Sequence, residues 1–210
     1  MATQPSSKII VYLGGLNMIR ILLVLCLSFA GSSFARIPDA LTSKLSEQIK
    51  NELEGAYIYL AISQNMYEQS LEGAGYWYAQ QFYEELNYAR IMMDFVEQQQ
   101  GKVQFSDIPM DLNSREFSLI EAFEFSLRLE ETQTQRIRDI YAASKALNAY
   151  ETEMLMHFLL KEQVEEEDLF GTYLDRLNIV RGDAAGILAI DQELGKRAPA
   201  VIYVPGGPMP

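Results

Sequence analysis

The sequence predicts an all-α chain, with four long helices in a bundle, one long crossover and a short fifth helix. Three observations carry this. Residues 41–195 contain one proline, Pro109, so helices can run long. Apolar residues recur there at alternating three- and four-residue steps, the period of a helix face. Two short breaks and one loop of 16 residues, 102–117, divide the region.

The first helix is expected over 41–70, with Thr42 and Ser43 as cap candidates. Glu72-Gly73-Ala74-Gly75 reads as a turn. A second helix follows over 76–100 and stops at Gly101. The loop 102–117 contains Pro109 and Asn113-Ser114. A third helix over 119–147 is broken by Asn148, and a fourth spans 150–177. A fifth covers 184–194, and the Pro/Gly-rich tail 197–210 is expected to be irregular. Short connections make helices one and two, and three and four, antiparallel hairpins. A helix of about 28 residues is about 42 Å long at ~1.5 Å per residue. The loop can stretch to about 50 Å at ~3.3 Å per residue. It can therefore run the length of the bundle, which makes the second and third helices parallel.

Residues 1–35 differ from the rest. They hold Lys8 and Arg20 but no Asp or Glu, and an apolar run from Ile21 to Ala30. That run is short for a membrane span. With Arg20 before it and the small residues Ser33 and Ala35 after it, the segment reads as a secretory signal cut after Ala35. Met18 offers a second start. Export is the expectation, to a periplasm, outside the cell or an organelle, with no stable membrane insertion after cleavage. A misassigned start would make the protein cytoplasmic.

The formal charge is −12, from 17 Lys+Arg and 29 Asp+Glu. Cleavage removes two bases and no acid, leaving −14. So acidic a chain is repelled by nucleic acid and suited to cations. One Cys (Cys26, in the leader) and one His exclude disulfide scaffolds, thiolate zinc and iron–sulfur sites, and sites needing two imidazoles. Metal chemistry here must use carboxylates, which favour hard cations or iron.

The core-facing stripes carry acids. They read Leu45, Ile49, Glu52, Ala56, Tyr59 in the first helix and Phe82, Glu85, Ala89, Met92, Val96 in the second. The third reads Ile120, Phe123, Leu127, Glu130, Thr134, Ile137, Tyr141, and the fourth Leu155, Leu159, Glu162, Glu166, Phe170. Each has a glutamate near its middle, and antiparallel pairing brings Glu52, Glu85, Glu130 and Glu166 to similar heights. Four buried carboxylates cannot all stay ionised without cations. They are protonated, paired with Lys/Arg that the stripes do not supply, or bridged by metal ions. Glu84, Glu162 and Glu165 add charge nearby, whereas Glu167 and Asp168 read as a solvated face.

These residues resemble the ferritin family, in particular bacterial non-haem ferritins, over about 41–195. The resemblance rests on Glu47-Gln48-Ile49-Lys50-Asn51-Glu52-Leu53, Tyr57-Ile58-Tyr59-Leu60 and Phe82-Tyr83-Glu84-Glu85. It continues in Leu129-Glu130, Thr134-Gln135-Arg136-Ile137, Glu162-Gln163-Val164-Glu165-Glu166-Glu167 and Asp191-Gln192-Glu193-Leu194. It implies a ferritin-like diiron domain over 36–196. Fe(II) would be oxidised by dioxygen or hydrogen peroxide, and ferric mineral stored in a hollow homo-oligomeric shell of 24 subunits, without haem. It further implies that Glu52 binds the first iron, Glu85 bridges both, and Glu130 and Glu166 bind the second. Gln163 would lie beside the oxygen space and Tyr59 would be the redox tyrosine. Glu84, Glu162 and Glu165 would line a third iron site. The family's Glu-x-x-His on the second helix is Glu85-Leu86-Asn87-Tyr88 here, so Tyr88 takes the place of the histidine. His157 points away from Glu166 and cannot substitute. The alternative reading is a storage or nucleation subunit with weak or no oxidation of its own.

Overall fold

A computed structural model describes residues 36–108 and 116–206. Among them are five helices and no strand: α1 (Asp39–Glu68), α2 (Glu72–Gln98), α3 (Leu119–Ala146), α4 (Tyr150–Ile179) and α5 (Ala184–Leu194). The leader, Pro109 and Asn113-Ser114 lie outside the described residues. No helix among those described is long and apolar enough to cross a membrane.

Hydrogen bonds at the helix ends fix the topology. Ile37 N–H donates to the Gln99 carbonyl, so the start of α1 meets the end of α2. Phe117 N–H donates to Asn65 Oδ1, and Gln69 Nε2 to the Phe117 carbonyl, so the end of α1 meets the start of α3. Helices α2 and α3 therefore run the same way, with the end of α2 and the start of α3 at opposite ends of the bundle, a distance the loop 102–117 is long enough to cover. The capping box at Ser118 and Glu121 starts α3 sharply after this crossover.

The ends of the elements depart from the sequence reading in three places. Helix α1 begins after Pro38, and Thr42 and Ser43 return their hydroxyls to the carbonyls of Pro38 and Asp39 instead of capping. The first hairpin turns at Ser70 (φ 61°), so Glu72-Gly73-Ala74-Gly75 is the first turn of α2. Its glycines serve close approach. A Cβ on Gly73 would lie 1.7 Å from the Asp191 carbonyl oxygen, and one on Gly75 2.8 Å from the Tyr67 ring. Asp191 also accepts from the Ala74 N–H at 2.7 Å, locking α5 onto the start of α2. Gly73→Ala should push α5 off and lower the unfolding free energy by about 1–3 kcal/mol, read by denaturant titration. Finally, α2 stops at Gln98 because Gln100 takes the left-handed conformation (φ 56°) two residues later.

The core has two apolar parts. One gathers Leu41, Leu45, Ile49, Met92, Val96 and Leu159 towards the start of α1. The other gathers Tyr59, Trp77, Tyr78, Phe123 and Phe170 with Leu194 of α5. On every long helix the glutamate of its stripe falls between these clusters, so the bundle is crossed by one polar belt.

The tail is irregular, as expected, but docked. It runs beside α2 in the same direction. Ala200 N–H donates to Gln80 Oε1, Asn87 Nδ2 to the Val201 carbonyl, and Tyr203 N–H to Asn87 Oδ1. The Tyr203 hydroxyl donates to Asp94 at 2.5 Å, and its ring is buried.

Candidate metal centre

The polar belt contains Glu52 (3% exposed), Glu85 (3%), Glu130 (1%) and Glu166 (7%). Burial decides their chemistry. It pushes all four carboxyls above the usual carboxylate range, Glu130 to about 7 and Glu166 to about 8. For Glu85 the neighbouring charges of Glu130 and Glu52 push the same way. Glu52 and Glu85 interact through their side chains, which pushes Glu85 up and holds Glu52 back against the effect of burial.

Glutamines hold oxygens of Glu52, Glu130 and Glu166. Gln48 Nε2 donates to Glu52 Oε1 at 2.8 Å and Gln133 Nε2 to Glu52 Oε2 at 2.9 Å. Gln163 Nε2 donates to Glu130 Oε2 at 3.0 Å, and Gln81 Nε2 to Glu166 Oε2 at 2.7 Å. The Tyr59 hydroxyl donates to Glu130 in a short contact. That ring is held between Tyr78 and Phe170, each 5.9 Å away between centroids. Each belt glutamate has a glutamine three or four residues away on its own helix: Gln48, Gln81, Gln133 and Gln163. Only Gln163 was picked out from the sequence. The i±3/i±4 spacing on the same stripes is the signal that marks the other three.

Among the described residues, no three His, Cys, Asp or Glu side chains are drawn together as a ready-made metal cage. Amide donors reach Glu52, Glu130 and Glu166 there. Two details nevertheless suit a cation at Glu85. Its Oε2 is buried without a hydrogen-bond partner. It also lies where a Cβ on Gly55 would come within 2.9 Å, so the glycine makes the carboxylate's space. Gly55→Ala should weaken divalent-cation binding by about tenfold, the low end of losing a group that orients a ligand, as read by calorimetric titration.

The other predicted residues take distinct positions. Tyr88 is buried beside the belt, and its phenol is pushed up by burial and then by the charges of Glu166 and Glu162. Glu84 and Glu162 line the same recess of about 320 Å³ as Tyr88. Glu162 is only half-buried, because the inward register of α4 runs Leu159, Gln163, Glu166, Phe170. Glu165 is exposed and pairs with Lys161 at 2.9 Å, so it does not line the recess. Glu167, read as solvated, accepts from the Thr134 hydroxyl at 2.5 Å. His157 is exposed against the Tyr141 ring. Cations absent from the stripes arrive from outside them. Arg136 donates to Gln133 Oε1 at 2.9 Å, and Arg197 of the tail reaches Glu84.

Parallel central helices, a full-length crossover and a belt of one glutamate per helix define a carboxylate-bearing bundle of the ferritin-like class. A family model of the ferritin-like domain matches residues 42–180, and the chain belongs to the ferritin family of iron-binding storage proteins. It is 30% identical over 159 residues to a bacterial non-heme ferritin of Staphylococcus saprophyticus, covering 75% of this chain and 94% of that one. A bacterial non-heme ferritin of Staphylococcus aureus is 26% identical over 160 residues, covering 75% and 94%. Among solved structures, an open pore ferritin from the archaeon Archaeoglobus fulgidus superimposes with a TM-score of 0.75 at 29% identity, covering 78% of this chain and 99% of that one.

Proposed function

We propose that the chain is a ferroxidase subunit of an iron-storage shell, oxidising Fe(II) at Glu52, Glu85, Glu130 and Glu166. The observation that carries this is the belt itself: four buried carboxyls, one per helix, with Glu85 Oε2 unpartnered against Gly55. Two Fe(II) ions would displace the protons that burial places on these groups. Glu85 would bridge them, with Glu52 on one ion and Glu130 and Glu166 on the other. Carboxylate oxygens are hard donors and stabilise Fe(III) over Fe(II), which favours the loss of one electron from each ion. Dioxygen takes both electrons with two protons to give hydrogen peroxide; hydrogen peroxide takes them to give water. Tyr59, joined to Glu130 and stacked on Phe170, would relay an electron. Fe(III) then hydrolyses to mineral within a homo-oligomeric shell, for which 24 subunits is the family arrangement. The leader 1–35 is proposed to direct export, which N-terminal sequencing of the native protein tests.

Tyr88 favours a second reading, a storage subunit with weak oxidation. A phenol kept protonated by burial and four nearby carboxyls is a poor donor to Fe(II). Anaerobic Fe(II) titration followed by oxygen decides between them. Rapid oxidation of two ions per subunit supports the ferroxidase, slow oxidation with mineral growth supports storage alone, and no uptake overturns both. Tyr88→His should speed the oxidation by about tenfold or more, the lower bound for restoring a group that tunes a metal site. Equal stopped-flow rates would show that the phenol costs nothing.

A further inference from the structure

The resemblance gives Glu84, Glu162 and Glu165 to a third iron, but in this fold a side chain of the protein stands there. Arg197 Nη2 lies 2.5 Å from Glu84 Oε2, with the two side chains only 17% and 25% exposed. The guanidinium carbon sits 4.6 Å above the Trp77 ring, a favourable seat for a desolvated cation. Nη1 is buried without a partner.

This placement is fixed on both sides of Arg197. Before it, α5 is tied to α2 by Asp191 and the Ala74 N–H. After it, residues 200–203 are pinned to Gln80 and Asn87. Glu84, Tyr88, Glu162, Arg197, Pro199 and Val201 all face one recess. A dication arriving at Glu84 meets a positive charge already paired there, and must displace a hydrogen bond and a ring contact.

We propose that Arg197, carried on the docked tail, is a built-in counter-cation that fills the accessory position beside Glu84, so that each subunit holds two metal ions and excludes a third. This rests on the diiron reading above. It makes the tail a determinant of how many ions the site takes.

The test is calorimetric titration of the full chain with Zn(II), which binds carboxylates without redox chemistry. The wild type should bind two ions per subunit and Arg197→Gln three. The doubly substituted Glu84→Gln/Arg197→Gln chain should return to two. Asn87→Ala keeps the guanidinium but removes both tail bonds to that amide. It should admit a third, weak binding event that the wild type does not show under the same conditions, a gain of about tenfold or more, roughly one hydrogen bond's worth, and serves if Arg197→Gln does not assemble. A wild type that already binds three ions overturns the inference, as does Arg197→Gln or Asn87→Ala binding indistinguishable from wild type. A wild type that binds none overturns the diiron reading instead, a separate result.

Discussion

Glu85→Gln should abolish rapid Fe(II) oxidation while leaving the fold intact. Loss of even an outer partner of a metal ligand costs roughly 10–100-fold, so, on the proposed role of Glu85, loss of its bridging oxygen should cost at least about 100-fold. The fold should survive because burial and its carboxylate neighbours push Glu85 towards the neutral form, from which it can donate to Glu52. An amide of the same shape keeps that donation and the contact with Gly55. It also removes an ionisable group from the belt, so the iron-free variant should be as stable as wild type near neutral pH and more stable above it. Loss of activity with unchanged or raised thermal stability is the signature expected. Equal loss of both would mean that Glu85 is structural. Retained oxidation would place the chemistry outside the belt.

The fold was legible in the sequence because helix periodicity and chain length leave few choices. Proline-poor stretches with three–four spacing give the helices, and a 16-residue loop can only be a crossover between parallel partners. The glutamates were legible because an acid on an apolar stripe conflicts with burial unless something meets its charge. What meets it was not legible. Gln48, Gln81 and Gln133 sit on the same faces as the glutamates, but Gln81 bonds Glu166 and Gln133 bonds Glu52, across helices whose rotation the stripes do not set. Glu162 fits the α4 stripe for the same reason: a four–four step and a four–three step both keep to one helix face, and only packing chooses Gln163. The glycines of α2 signal a turn locally, yet are needed because Asp191, far along the chain, presses its carbonyl against Gly73. Arg197 was hidden most deeply. It lies in a tail with no periodicity, and its pairing with Glu84 depends on α5 and on Asn87.

The belt also makes stability depend on pH in a direction opposite to that of ordinary surface carboxylates. Burial lifts Glu130 to about 7 and Glu166 to about 8, from 4.5. Between those limits the folded chain keeps protons that the unfolded chain has released. The contribution of these groups is therefore fully present below pH 4.5 and is lost as pH rises through 7 and then 8. At about 1.4 kcal/mol per pKa unit, it is on the order of several kcal/mol per subunit. The iron-free protein should melt several degrees lower at about pH 8.5 than at about pH 6, since each kcal/mol moves the midpoint by roughly 2–4 °C at this size. Metal ions compete with the same protons, so their affinity should rise over the same window, while the number of protons released on binding should fall as pH passes 7 and then 8. The melting temperature of Zn(II)-loaded protein should then change less than that of the iron-free protein, and the gap between the two should widen with pH. Substituting Glu166→Gln should remove the upper part of this dependence, near pH 8, and leave the part near 7 that belongs to Glu130. A melting temperature that is flat or rising from about pH 6 to about pH 8.5 in the iron-free protein would mean that the belt is already ionised at the lower pH. Its four charges would then be held by Arg136, Arg197 and the glutamine amides alone, and the driving force for taking up two cations would be correspondingly small.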